Sequence, residues 1–224
     1  MIEFIAKGFN FIFGKISNSI LTAPSLIYLN RKREINTNYF DYIRLSTLEL
    51  LCHEIKENKV SGNVAELGVY KGKFAQYING FLPEKKFYLF DTFEGFDQKD
   101  TATEKAKSYS TGEQDFSNTS VENVLQIMPH RANCIVKKGY FPESAKDVND
   151  TFCLVSLDAD LYEPIYSGLK FFYPKLVSGG YILVHDFNSD GYKGVREAVT
   201  KFCKEENIGY VPISDKCGTV VVCK

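Results

Sequence analysis

Two short runs hold the residues best suited to chemistry. In Val155-Ser156-Leu157-Asp158-Ala159-Asp160-Leu161-Tyr162, an apolar stretch from Phe152 to Leu157 ends in two carboxylates spaced i, i+2. Residues two apart on a strand share a face. An extended backbone through Asp160 would therefore turn Asp158 and Asp160 into one crevice. Like charges that close need a cation, a proton or hydrogen-bond donors. Taken alone, Asp158 reads as an end-of-strand turn residue and Asp160 as a helix cap. A second run, Tyr181-Ile182-Leu183-Val184-His185-Asp186, ends in an imidazole beside a carboxylate and favours a functional reading of the pair.

The elements around these runs must bring them together. Glu163 to Leu176 is long enough for a crossover helix, so the flanking strands should be parallel. Neighbouring strands lie about 5 Å apart, which lets Asp158 and Asp186 converge on one hard cation. In open α/β sheets ligands bind at the carboxyl ends of the strands. Upstream, Tyr39 to Asn58 reads as a helix with Leu45, Leu48, Cys52 and Ile55 at helical spacing. A first strand, Asn63 to Leu67, leads through Gly68-Val69-Tyr70-Lys71-Gly72 into a helix from Lys73 to Leu82. That loop is not G-x-G-x-x-G, but its glycines let backbone approach a ligand. Glu66, at the strand end, could hold an amino group or a ribose hydroxyl. A second strand, Lys86 to Phe90, ends in Asp91, 23 positions after Gly68. An acidic residue about 20 on is where nucleotide-binding α/β domains hold ribose hydroxyls.

Glu94 to Ser117 is polar with few apolar anchors and reads as a mobile loop or lid. Ser120 is a suitable N-cap for a helix to Met128. Cys134 to Val136 is a third strand, and Gly139 just beyond it would let a flat ring approach. Ser178-Gly179-Gly180 reads as the turn before the fifth strand. A helix from Lys193 buries Val195, Val199, Phe202 and Cys203. Gly209 to Ile213 and Thr219 to Cys223 form a terminal hairpin. The expected fold is α/β: a seven-stranded, mostly parallel sheet with helices on both faces and one antiparallel strand.

The 224 residues divide into an N-terminal helical arm or cap (1–58) and one α/β domain (59–224). Lys+Arg 27 against Asp+Glu 28 gives a net charge of −1, which offers no footprint for nucleic acid. The six cysteines are scattered without C-x-x-C spacing, as reduced core cysteines of a cytoplasmic protein would be. Glu3, Lys7 and Lys15 break the apolar start, so no run approaches the roughly 20 residues of a membrane span. Ile2, Ile5, Phe9 and Ile12 could line one helix face, with Pro24 limiting a second short helix. The arm is expected to pack on its own domain or on a partner subunit, giving a homo-oligomer.

Six stretches in order across about residues 60–200 resemble the macrocin O-methyltransferase (TylF-type) family of S-adenosylmethionine-dependent sugar O-methyltransferases. They are Ala65-Glu66-Leu67-Gly68-Val69-Tyr70-Lys71-Gly72, Leu89-Phe90-Asp91-Thr92-Phe93-Glu94-Gly95-Phe96, Lys138-Gly139-Tyr140-Phe141-Pro142-Glu143-Ser144, Leu157-Asp158-Ala159-Asp160-Leu161-Tyr162, Phe172-Tyr173-Pro174-Lys175-Leu176 and Gly179-Gly180-Tyr181. The resemblance implies a class I methyltransferase fold and a divalent metal, usually magnesium. It implies Glu66, Gly68 and Asp91 at S-adenosylmethionine, with Tyr70, Thr92 and Gly139 from the same stretches completing the cofactor set. It makes Asp158 and Asp186 metal ligands and Asp160 the general base. His185 stands where the family commonly has an aspartate. Imidazole suits transition metals better than magnesium, so His185 shifts metal preference, joins the ligands, acts as base itself or marks a weakened site. The expected acceptor is a sugar or glycosylated small molecule. Two other readings stay open: a metal-dependent hydroxylase of the cephalosporin hydroxylase-like type, and a non-catalytic nucleotide-binding subunit.

Overall fold

The apolar runs of the sequence become strands covered on both faces. The structure, a computed structural model, describes Ile5, Gly8, Phe9, Phe11, Ile12 and residues 41–224. The stretch Thr37–Lys224 is one compact unit, and Met1–Asn36 is another. Ile5, Phe9 and Ile12 of the expected apolar stripe are helical and exposed, whereas Ile2 and the break at Pro24 lie outside the described residues.

The second unit opens with α1 (Tyr42–Glu57), whose Leu45, Leu48, Cys52 and Ile55 are buried as their spacing requires. It packs against α2 and β5. There follow β1 (Asn63–Leu67), α2 (Ala75–Phe81), β2 (Phe87–Asp91), α3 (Gln98–Lys107), α4 (Val121–Gln126), β3 (Cys134–Lys138), β4 (Phe152–Leu157), α5 (Tyr162–Lys175), β5 (Leu176–Val184), α6 (Lys193–Glu206), β6 (Val211–Ile213) and β7 (Thr219–Cys223).

The seven strands run in the order β3-β2-β1-β4-β5-β7-β6. Pairings among β1 to β5 are parallel, and β7 runs antiparallel to both neighbours, as expected. β4 is buried at all six positions, which suits a central parallel strand. An aromatic core of Phe90, Phe141, Phe152 and Phe172 fills the space between sheet and α5, with ring centroids 5.1–5.8 Å apart. On the adjoining α6, Val195, Ala198, Val199 and Phe202 supply the buried stripe.

Two local expectations change. Ser178-Gly179-Gly180 is not a turn before the fifth strand but part of it. The register jumps from Phe152↔Leu176 to Leu154↔Tyr181, and Gly179 takes φ +79°, so the surplus residues bulge. Glu94 to Ser117 is not all loop. It contains α3, started by Asp97, whose side chain accepts from the Lys99 N–H. Its buried residues are Asp100 and Glu104, so no apolar stripe announces it. All six cysteines are free, and no helix among the described residues is long and apolar enough to cross a membrane.

Candidate active site

The strand order reverses between β1 and β4, and ligand crevices form at such switch points. A crevice of about 330 Å³ opens there, lined from Glu66, Gly68 and Tyr70 across to Asp158, His185 and Asp186. Asp91, Thr92, Gly139 and Asp160 line it too, so every site residue singled out in the sequence faces one space.

At one end the groups suit a nucleoside. Asp91 Oδ2 accepts from the Tyr70 N–H (2.8 Å) and Oδ1 from the Phe93 N–H (2.7 Å). Those bonds fix the carboxylate while leaving lone pairs for hydroxyls. The Gly139 N–H donates to the Asp91 carbonyl (2.9 Å), and a Cβ on Gly139 would meet only Ser144 at 3.8 Å, so the surface above it is flat and open. The Thr92 hydroxyl is spent locally, donating to the Gly95 carbonyl (2.7 Å). Gly68 serves a different close approach from the one expected. At φ +88° its Cβ would lie 2.1 Å from the Asp158 carbonyl oxygen, so glycine lets two strand ends pass. Gly72 faces Val124 of α4 and Ile127 and Met128 just beyond it rather than a ligand.

Glu66 is 1% exposed, and only its Oε1 is bonded, by the Ser156 hydroxyl (3.1 Å). Oε2 is buried without a partner. Burial, reinforced by the charge of Asp158, pushes the carboxyl up to about 8.

The other end is the acidic centre. β4 stops at Leu157, and Asp160 takes φ +59°, so the backbone does not stay extended as the i, i+2 argument assumed. A tight turn, with the Leu161 N–H donating to the Ala159 carbonyl (2.6 Å), brings Asp160 back beside the others. Asp186 sits at φ +61°. Aspartate tolerates this left-handed region better than most residues.

His185 Nδ1 lies 3.1 Å from Asp158 Oδ1 and 3.0 Å from Asp186 Oδ2. Burial disfavours an imidazolium there, but Asp158 and the bonds to both carboxylates lift His185 to about 10. The Nδ1 of the histidine is thus faced by two carboxylates. Burial would raise Asp158 as well, yet Arg44 and His185 hold it well below the usual range. Asp160 goes the other way, far above that range, through burial and the charges of Asp158 and Asp186.

The donor set fits a divalent cation. Asp158, His185 and Asp186 offer ligand atoms all within 4.8 Å of one another. Bonds of about 2.1 Å set at right angles place their donors about 3 Å apart, close to the spacing of His185 Nδ1 from both carboxylates.

Sequence reasoning missed three contributors. Arg44 of α1 donates from Nη2 to Asp158 Oδ2 (2.9 Å). Asp100 of α3 lines the crevice at 5% exposure, accepts from the Tyr140 hydroxyl (2.8 Å), and is raised to about 6 by burial. Glu104 is fully buried and accepts from the Tyr162 N–H (2.8 Å), capping α5, whose N-cap Leu161 has no side-chain bond. The clue was present in Asp97, Asp100, Lys105 and Lys107, acidic residues opening a helix and basic ones closing it.

The sheet order, the antiparallel β7 and the crevice at the switch point define a class I S-adenosylmethionine-dependent methyltransferase fold. Within that class the chain belongs to the macrocin-O-methyltransferase (TylF) family, which its residues 38–220 match. It is similar to demethyldecarbamoylnovobiocin O-methyltransferase of Streptomyces niveus, 23% identical over 165 residues, or 64% of this chain and 60% of that protein. The match therefore spans less than two thirds of that relative. Among solved structures it is similar to the O-methyltransferase NovP, with TM-score 0.70 and 22% identity over 81% of this chain and 79% of that one. The calicheamicin methyltransferase CalS11 gives TM-score 0.65 and 17% identity over 80% and 78%. At those identities the structural likeness speaks for the fold.

Proposed function

We propose that this chain transfers a methyl group from S-adenosylmethionine to a hydroxyl of a sugar or glycosylated small molecule, with a divalent cation in the site. The observation that carries this reading is the convergence of Asp158, His185 and Asp186 opposite the nucleoside-like end of one crevice. The named relatives, a novobiocin-type O-methyltransferase and a calicheamicin methyltransferase, support the acceptor class.

In this reading Asp91 holds the ribose hydroxyls, and Gly68, Tyr70, Thr92 and Gly139 shape the cofactor's bed. Glu66 offers its free oxygen to a polar group of the cofactor. Asp158, His185 and Asp186 hold the cation, which when bound lowers the pKa of a hydroxyl and orients it. The imidazole favours a transition metal over the magnesium usual in the family. Asp160 takes the hydroxyl proton once the negative charge around it is compensated. The sulfonium supplies the driving force, so the protein's remaining task is positioning and exclusion of water.

Mass spectrometry of a glycoside incubated with the enzyme and S-adenosylmethionine tests the reaction. A gain of one methyl is expected, whereas a gain of one oxygen would favour the hydroxylase reading. Calorimetry tests the cofactor end: Asp91→Ala should weaken S-adenosylmethionine and S-adenosylhomocysteine together, and equal affinity would remove Asp91 from the site.

A further inference from the structure

Arg44 is a cation already built into the acidic centre. It lies in the first turn of α1 and is 7% exposed. Its Nη2 is 2.9 Å from Asp158 Oδ2, and its guanidinium carbon sits 3.9 Å from the centroid of the Phe74 ring. A guanidinium cannot shed its proton in a protein, so this charge persists at any working pH.

The turn that carries it is fixed to the rest of the site. The Arg44 N–H donates to Asp41 Oδ1 (3.1 Å), and Asp41 Oδ2 accepts from the Lys216 N–H (2.8 Å). Cys217 and Gly218, next in that hairpin turn, accept through their carbonyls from the Asn188 and Phe187 N–H groups (2.8 and 2.9 Å). Those two residues directly follow Asp186. A chain of short bonds thus links the arginine on one side of the centre to the carboxylate on the other.

The two oxygens of Asp158 are divided. Oδ2 belongs to Arg44, and Oδ1 faces His185 at 3.1 Å. A cation joining His185 and Asp186 would find one oxygen of Asp158 open to it and a fixed positive charge behind the other. Like charges separated by a single carboxylate repel strongly in a water-poor site.

We propose that Arg44 is a positioning residue that acts through Asp158, keeping it to one oxygen for the cation and holding cation affinity low. The ion then exchanges readily, and the carboxylate keeps its orientation whether or not an ion is present. This rests on the metal-assisted reading above.

The test is Mn²⁺ binding to the full-length protein, measured by calorimetry for wild type, Arg44→Gln, Arg44→Lys and Asp158→Asn, with circular dichroism to check folding. Arg44→Gln removes the charge and should bind Mn²⁺ at least tenfold more tightly while kcat falls. Arg44→Lys keeps the charge and should stay within about threefold of wild type. A purely structural arginine would leave affinity unchanged or lower it on substitution, and either result in Arg44→Gln overturns the proposal. If Arg44→Gln does not fold, Arg44→Lys decides: tightening of tenfold or more overturns it. Wild type binding no more Mn²⁺ than Asp158→Asn would sink the metal-assisted reading and this proposal with it. Wild-type binding lost in Asp158→Asn, together with no tightening in Arg44→Gln, would sink the proposal alone.

Discussion

Three carboxylates and one imidazole meet at the acidic centre, and their neighbours push them apart. Arg44 and His185 hold Asp158 below the usual carboxylate range against its burial, while burial and the charges of Asp158 and Asp186 push Asp160 above it. Groups driven apart in this way are suited to separate roles. Asp158→Asn and Asp186→Asn should lose cation affinity and turnover together, with partial rescue by excess cation. Asp160→Asn should keep most of its cation affinity and lose roughly 10²–10⁴ in kcat, the usual scale for a general base. Near-normal turnover in Asp160→Asn at saturating cofactor and cation would move the base to His185. Carboxylates closing two consecutive strands drew attention to both runs, and the resemblance to the family supplied the roles given to Asp158, Asp160, His185 and Asp186. Arg44 was out of reach, since its partner lies 114 positions away and no local spacing signals that contact.

At the scale of elements, regular segments were legible and irregular ones were not. β1, β2 and β4 announced themselves as apolar runs ending in Glu66, Asp91 and Asp158. The geometry beyond β4 misled, because an i, i+2 argument holds only while the strand lasts, and this one ends at Leu157. α3 stayed hidden because its inward face is acidic rather than apolar. Glu104 shows what that helix does: it caps α5 directly after the Asp158–Asp160 turn and accepts from the Ser110 hydroxyl as well (2.7 Å). Removing a buried acceptor strands its donors, at a cost of about 1–3 kcal/mol. Urea unfolding of Glu104→Ala should show a loss of that size, with kcat falling more than cofactor affinity. Glu104→Gln should lose less, because its amide oxygen still accepts. Equal stability of Glu104→Ala and wild type would detach α3 from the centre.

For the whole molecule, the seven strands and the single antiparallel one followed from alternating strands and helices plus a final hairpin, whereas the strand order emerged from the structure. The assembly around that sheet is a separate question. Ile5, Phe9, Phe11 and Ile12 are exposed apolar residues on helical backbone, a pattern associated with association surfaces. Light scattering at micromolar concentration should therefore report a homo-oligomer that a chain lacking residues 1–30 does not form. A monomeric full-length chain would count against it.

Global stability should also carry the mark of Glu66. Its carboxyl stands at about 8 in the folded chain against 4.5 when unperturbed, so the folded state binds the extra proton between those values. Stability from this group is full below about 4.5 and declines as pH rises toward 8. In the absence of cofactor, the melting temperature of wild type should fall relative to Glu66→Gln across that window. Parallel curves would mean that Glu66 is ionised throughout.

The central claim is metal-assisted methyl transfer at the end of β4 and β5. Transfer of label from S-adenosylmethionine to a panel of glycosides and sugar nucleotides, before and after chelation and with Mn²⁺ or Mg²⁺ returned, tests it most directly. Transfer to at least one sugar hydroxyl is expected, with loss on chelation and recovery with added cation, Mn²⁺ ahead of Mg²⁺. Transfer that survives complete chelation, or no transfer to any hydroxyl in the presence of cation, would contradict it.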